Sequence, residues 1–100
     1  MPDNFYGTGR RKSSVARVTI TEGNGKFTFN GKDLEQYFPS PSMKMTIEKP
    51  FKVVSLEGKF DMVVNVNGSG LSAQSDAVAL GISRALIKMD PELRPKLKKA

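Results

Sequence analysis

The chain has 100 residues, with 16 Lys+Arg against 10 Asp+Glu and a formal net charge of +6. Cysteine and histidine are both absent, which excludes a disulfide framework, the usual Cys/His zinc sites, a cysteine nucleophile and a histidine-based triad. A single domain over residues 1–100 is expected, its 38% apolar fraction sufficient for one modest core, and the positive balance favours polyanionic partners, nucleic acid before anionic membrane.

Met1-Pro2-Asp3-Asn4 is polar and acidic and lacks the basic-then-apolar order of a signal peptide. The apolar runs are too short to span a bilayer, so no membrane partner is expected. The cytoplasm is the expected location. Phe5 to Gly9 reads as a short edge strand. Ser14 to Thr21 alternates, with Ala16, Val18 and Ile20 on one face and Val15, Arg17 and Thr19 on the other. Glu22-Gly23-Asn24-Gly25 is a turn signal and Lys26 to Phe29 reads as the returning strand. Residues 14 to 29 are therefore expected to form a hairpin. Asn30-Gly31 is a second turn.

Asp33 to Phe38 reads as one or two helical turns, with Leu34, Tyr37 and Phe38 facing inward. Pro41 suits the first position of a short helix from Ser42 to Glu48, and Pro50 is expected to end it. Phe51 to Ser55 is apolar and open between strand and helix. Phe60 to Asn67 is the clearest strand, interior to the sheet, and Gly68-Ser69-Gly70 stops it. Leu71 to Met89 is the clearest helix, on the spacing of Val78, Ile82, Ala85 or Leu86, and Met89. Ala77, Gly81 and Ala85 form a small-residue stripe that lets a sheet approach closely. Asp90 as N-cap and Pro91 restart a helix carrying Leu93 and Leu97 inward, with Pro95 limiting its regularity. This order predicts an α+β sandwich: an antiparallel-rich sheet of about four strands with helices on one face.

Three stretches could carry chemistry. Gly7-Thr8-Gly9-Arg10-Arg11-Lys12-Ser13-Ser14 places three consecutive cations between strands. Glycines admit a ligand close to the backbone, and arginine forks and hydroxyls match phosphate oxygens. Arg17 projects from the next strand. The bland reading is a solvated basic turn. Gly68-Ser69-Gly70-Leu71-Ser72-Ala73-Gln74-Ser75 joins the best strand to the best helix and offers free N–H groups at a helix start. It has neither Walker nor dinucleotide spacing, and a simple tight turn with an N-cap explains it equally. Arg84, Lys88, Arg94, Lys96, Lys98 and Lys99 make a basic end, which also reads as a solvated helix surface. The aromatics fall mostly on strand or core positions, so phosphate contact and shape are a better basis for binding than base stacking.

At these residues the sequence resembles the bacterial form of the small-subunit ribosomal protein nine family. Two blocks carry the resemblance: Tyr6 to Val18, and Gly68 through Gln74 to Gly81-Ile82-Ser83-Arg84-Ala85-Leu86. Gly23-Asn24-Gly25-Lys26, Leu34 to Phe38 and Asp90 to Ala100 are also similar. The resemblance implies a structural component of the small subunit that binds the 3′ major domain, the head, of small-subunit rRNA. It implies the fold of the second domain of small-subunit ribosomal protein five, with a left-handed βαβ crossover. It implies neighbours among proteins seven, ten and fourteen of the subunit, and no enzymatic activity, cofactor, metal or small-molecule substrate.

Residue chemistry and resemblance together single out Gly7, Thr8, Gly9, Arg10, Arg11, Lys12, Ser13, Arg17, Gly68, Ser69, Gly70, Ser72, Gln74, Arg84, Lys98 and Lys99 as RNA-binding. Three departures stand out. Ser69 replaces the middle of three family glycines. Ala79 and Leu80 stand where the family often has a basic residue. The family's long basic tail, which reaches the anticodon stem-loop of the P-site tRNA, does not follow Ala100, so no tRNA contact is expected of these residues. Two other readings are open: a small-molecule kinase, with Asp61 or Asp76 as base, and a generic RNA or anionic-surface binder that has lost specific ribosomal assembly.

Overall fold

The computed structural model describes residues 4–68 and 70–99. At the N-terminus β1 (Asn4–Arg11) pairs antiparallel with β2 (Ser14–Glu22), closing through Lys12-Ser13 with Arg11 opposite Ser14. Alternation in β2 follows the sequence pattern: Ala16, Val18 and Ile20 are buried and Arg17 is exposed. The sheet has five strands in the order β1-β2-β5-β3-β4.

The expected hairpin over residues 14–29 does not form. β3 (Phe27–Phe29) pairs parallel with β5 (Phe60–Asn67), and β5 pairs antiparallel with β2. The chain does reverse after Glu22, but β5 occupies the space between the two arms. A turn signal reports a change of direction; it carries no information about a strand that arrives later and fills the gap. β4 (Lys32–Asp33) joins β3 through Asn30 and Gly31, at φ 51° and 84°, the backbone that an Asn-Gly hairpin turn requires. This short strand makes five where the sequence suggests about four.

Between β3 and β5 the chain crosses the sheet as two helices, giving a parallel βαβ unit. The first, α1 (Leu34–Tyr37), starts with a capping box. Asp33 Oδ1 accepts from Gln36 N at 2.8 Å and Gln36 Oε1 accepts from Asp33 N at 3.2 Å, satisfying two otherwise orphaned donors. The second, α2 (Pro41–Val53), runs straight through Pro50, which therefore does not end it. Proline removes one helical hydrogen bond there. Both Pro50 and Phe51 are buried, and the Phe51 ring lies 5.4 Å from Phe27 and 6.3 Å from Phe60. Burial of that order, about 1.5–3 kcal/mol for a Phe side chain, offsets the missing bond. Residues 51–53 are thereby helical, which resolves their ambiguity.

The long helix α3 (Leu71–Met89) has the expected bounds. After it, Asp90 accepts from Glu92 N at 3.1 Å and caps a 3-10 turn (Pro91–Leu93), and α4 (Arg94–Lys99) folds back so that Leu97 is buried. The core lies between the helices and one face of the sheet, built on Phe29, Phe38, Ile47, Met62, Val64, Ile82 and Leu86.

The tightest contact in the layer is α3 on the outer strand β1. A Cβ on Gly7 would run into the Gly81 carbonyl and lie 2.6 Å from Ala85 N. A Cβ on Gly9 would run into the Ala77 carbonyl and lie 2.5 Å from Gly81 N. Gly81 in turn faces Val18, whose Cγ2 would lie 2.6 Å from an added Cβ. The small-residue stripe does let the sheet approach, and its counterpart is the pair of glycines in β1. Every obstructing atom for Gly7 and Gly9 is backbone, so no side chain can swing away. Gly9→Ala is therefore expected to cost at least the upper part of the usual overpacking range, about 3 kcal/mol, read as a lowered urea midpoint; a change below about 0.5 kcal/mol would contradict this packing.

Candidate nucleic-acid interface

The two stretches singled out in the sequence meet in space. Gly68, at φ 116°, sits against the β1–β2 turn, where an added Cβ would run into Ser14 Cα and lie 2.6 Å from the Ser13 carbonyl. Val15 pairs with Asn67 one position away. The turn that begins α3 is thus seated on the turn that carries the cations. Gly70, at φ 74°, opens α3 with no side-chain cap of its own, and Leu71 and Ser72 in the first turn are exposed. Ser69 and the side chain of Lys99 lie outside the described residues.

Strand alternation divides the basic run. Arg11 faces the helix side, where its Nε lies 3.7 Å from Asp76 Oδ2 in the first turns of α3. Arg10 faces the other, uncovered side of the sheet together with Thr8 and Arg17, which are opposite each other in register. Lys12 sits at the tip, at φ 55°. Arg10, Lys12 and Arg17 are exposed and have no side-chain hydrogen bond or ion pair among the described residues. Ser13 is exposed at the same turn.

Four of the selected residues are engaged in holding the fold. Gly7 and Gly9 are buried beneath α3, so what approaches their backbone is the helix. Arg84 is exposed, but its Nη1 donates to the Thr8 carbonyl at 2.7 Å, holding the outer edge of β1 to α3. Gln74 is only 8% exposed. Its Nε2 donates to the Gly68 carbonyl at 2.9 Å and its Oε1 accepts from the Tyr37 hydroxyl at 2.7 Å. That hydroxyl accepts from Asn30 Nδ2 at 3.2 Å, and Asn30 exchanges two further bonds with the Val66 backbone at 2.7 and 2.9 Å. The network ties β3, α1, β5 and α3 together at the glycine turn. Gln74→Ala would leave the Gly68 carbonyl and the Tyr37 hydroxyl short of a partner, at an expected cost of about 1–3 kcal/mol in a denaturation experiment, with Gln74→Glu also destabilising because it brings no donor for Gly68 at neutral pH.

Lys98 is exposed on α4, whose Leu97 lines a groove of about 460 Å³ between α2, α3 and α4, together with Arg11, Lys49, Asp76 and Leu80. Sequence reasoning passed over the uncovered face of the sheet. Tyr6 and Val63 are 56% and 55% exposed, and register puts both beside Thr19. The signal was available: Tyr6 shares strand parity with Thr8 and Arg10, not with the buried glycines.

The two acids considered as catalytic bases are engaged. Asp76 pairs with Arg11. Asp61 Oδ1 accepts from Asn24 N and Lys26 N, each at 3.0 Å, and so fastens the β2–β3 loop to β5. These two backbone N–H groups, Lys26 first and Asn24 next, hold the Asp61 carboxyl below its ordinary value of 3.8. The folded chain therefore binds that proton less tightly than the unfolded chain. The resulting stabilisation is fully present above 3.8 and is lost as pH falls through the lower folded value. Asp61→Asn is expected to be less stable than the parent at neutral pH, with the difference shrinking in acid; parallel stability–pH curves for the two would contradict this role.

Among the described residues no helix is long and apolar enough to cross a membrane, and no group of three or more acids could hold a metal ion. The geometry defines a basic α+β domain that presents cations from joined turns, with Asp61 holding a loop and Asp76 paired to Arg11. Comparison with known proteins carries this further. A family model described as Ribosomal protein S9/S16 matches residues 9–100. The small ribosomal subunit protein uS9 of Maridesulfovibrio salexigens is 52% identical over 98 residues, covering 98% of this chain and 75% of that relative. The chain belongs to the ribosomal protein S9 family and is a structural, non-enzymatic component of the small ribosomal subunit, with its place in the cytoplasmic ribosome.

Proposed function

We propose that the domain binds the 3′ major domain of small-subunit rRNA, the head, and that the joined turns are its principal contact. The observation that carries this reading is the seating of Gly68 on Ser13 and Ser14, which merges the cationic turn and the start of α3 into one surface. Arg10, Arg11, Lys12 and Arg17 supply phosphate contacts, with Thr8, Ser13 and Ser72 as hydroxyl donors. Backbone N–H groups at the start of α3, from Gly70 onward, donate to an RNA phosphate, because helix dipole and orphaned donors both favour an anion. Ser69 belongs to that turn by sequence. Arg84, Lys98 and Lys99 extend the footprint electrostatically, while Gly7, Gly9 and Gln74 act through the fold that holds the surface in shape. Within the subunit the neighbours are proteins seven, ten and fourteen.

The test is binding to a transcribed 3′ major domain at about 150 mM salt with excess unrelated structured RNA. Arg10→Ala with Arg11→Ala should weaken binding and reduce the salt slope by about 1.5, near 0.7–0.9 per lost phosphate contact. The melting temperature should hardly move. Arg10 is exposed and unpaired, and the solvent-exposed Arg11–Asp76 pair, at 58% and 45% exposure, is worth little after screening. Binding that disappears under competitor would reduce the domain to a generic polyanion binder and overturn the head-specific assignment.

A further inference from the structure

Helices cover one face of the sheet; among the described residues nothing covers the other. Register maps it row by row. Tyr6, Thr19, Val63 and Thr28 lie side by side across β1, β2, β5 and β3. Thr8, Arg17 and Asn65 form the next row, and Arg10, Val15 and Asn67 the row nearest the cationic turn. An antiparallel sheet tolerates one wet face, but this composition is not what solvation alone asks for. Asparagine is disfavoured in strand interiors, yet Asn65 occupies an outward interior position of the central strand and Asn67 its last residue, both exposed and without side-chain hydrogen bonds among the described residues. Tyr6 and Val63 hold more than half their surface in water.

Charge selects the occupant. The cations, Arg10 and Arg17, gather at the end next to the β1–β2 turn. The acids of this face, Asp61 and Asp33, stand at the far rung and at the β4 margin; Asp61 accepts two backbone N–H groups of the β2–β3 loop and Asp33 one at the start of α1. Tyr6 and Arg17 are diagonal neighbours on adjacent strands, about 7–8 Å apart by sheet geometry. An aromatic ring, two unpaired guanidinium groups and a row of amides and hydroxyls are together a surface for a polyanion with flat faces and polar edges. We infer that the uncovered face takes an unpaired RNA strand, with one base stacked on Tyr6, phosphates on Arg17 and Arg10, and base or sugar polar groups on Asn65 and Asn67. Bases in a duplex have no free face to offer the ring, so the strand is single. The inference rests on the rRNA reading for the source of the strand and adds a second surface, continuous with the turns through Arg10.

The test uses the whole chain with an unstructured, mixed-sequence RNA of about ten nucleotides, its duplex, and the transcribed 3′ major domain. Tyr6→Ala should weaken single-strand binding between about 5-fold and about 160-fold, the usual range for a lost base–aromatic stack. Tyr6→Phe should retain it. Arg17→Gln should weaken it, whereas Lys52→Gln, the same charge change on α2 in the helix layer, should leave affinity within about twofold. In the parent, the Tyr6 ring protons should shift upfield on titration with the strand and not with the duplex. A Tyr6→Ala variant that binds as the parent does, or unshifted ring protons, overturns the inference. So does equal loss in Arg17→Gln and Lys52→Gln, which would mean net charge alone. Tyr6-dependent strand binding alongside competitor-sensitive binding to the 3′ major domain would sustain the sheet surface while removing the head assignment; the reverse pattern would remove the surface and leave the assignment standing.

Discussion

The backbone of α3 lies directly on the backbone of β1, with no side chain between them. Gly7, Gly9 and Gly81, with Ala77 and Ala85, make that approach possible, and much of the molecule follows from it. Because α3 is pressed against the outer strand, the start of the helix arrives beside the β1–β2 turn. Arg11 can then reach Asp76, Arg84 can reach the Thr8 carbonyl, and Gly68 can sit on Ser14. Larger residues on either element would hold the layers apart and separate the turns that define the candidate interface. Close packing of this kind transmits small volume changes directly.

The second organising feature is polar. Asn30, Tyr37 and Gln74 form a chain of side chains between strands and helices. Asn30 behaves as an extra ladder residue, bonding both backbone groups of Val66 with its side chain and so prolonging the short β3–β5 pairing. The network runs from exposed Asn30 to buried Gln74, and no buried side-chain polar atom is without a partner among the described residues, as such a network needs if it is to stabilise.

Local pattern made most elements legible. The limits of α3, the alternation in β2 and β5, and the Asp90 cap all depend on periods and offsets of a few residues, which the chain displays openly. What was not legible was non-local. The hairpin over 14–29 failed because the strand between its arms lies more than thirty residues further on. Pro50 reads as a helix stop until Phe51 is seen stacked between Phe27 and Phe60. The same holds at the site. Gly7 and Gly9 next to three cations suggest room for a ligand, and only the placement of α3 shows that the room is already filled. Within the blocks that carry the family resemblance some residues are exposed and others are taken up by packing, and sequence spacing cannot draw that division. The uncovered sheet face was the reverse case. Its parity was readable, but nothing local says that no second layer covers it.

The central position of β5 also sets when the molecule can come into being. During synthesis β1 and β2 emerge first and can close through their own turn. The inner edge of β2 then has no partner until Asn67 has been made, and β3 waits beside the same gap. Until β5 has been made the nascent chain therefore carries open strand edges, the kind that invite pairing with other chains. Only when β5 enters, and α3 follows to lie on β1, does the sheet close. The sheet thus closes as a unit around its last-made strand and not as a domain that grows from its N-terminus.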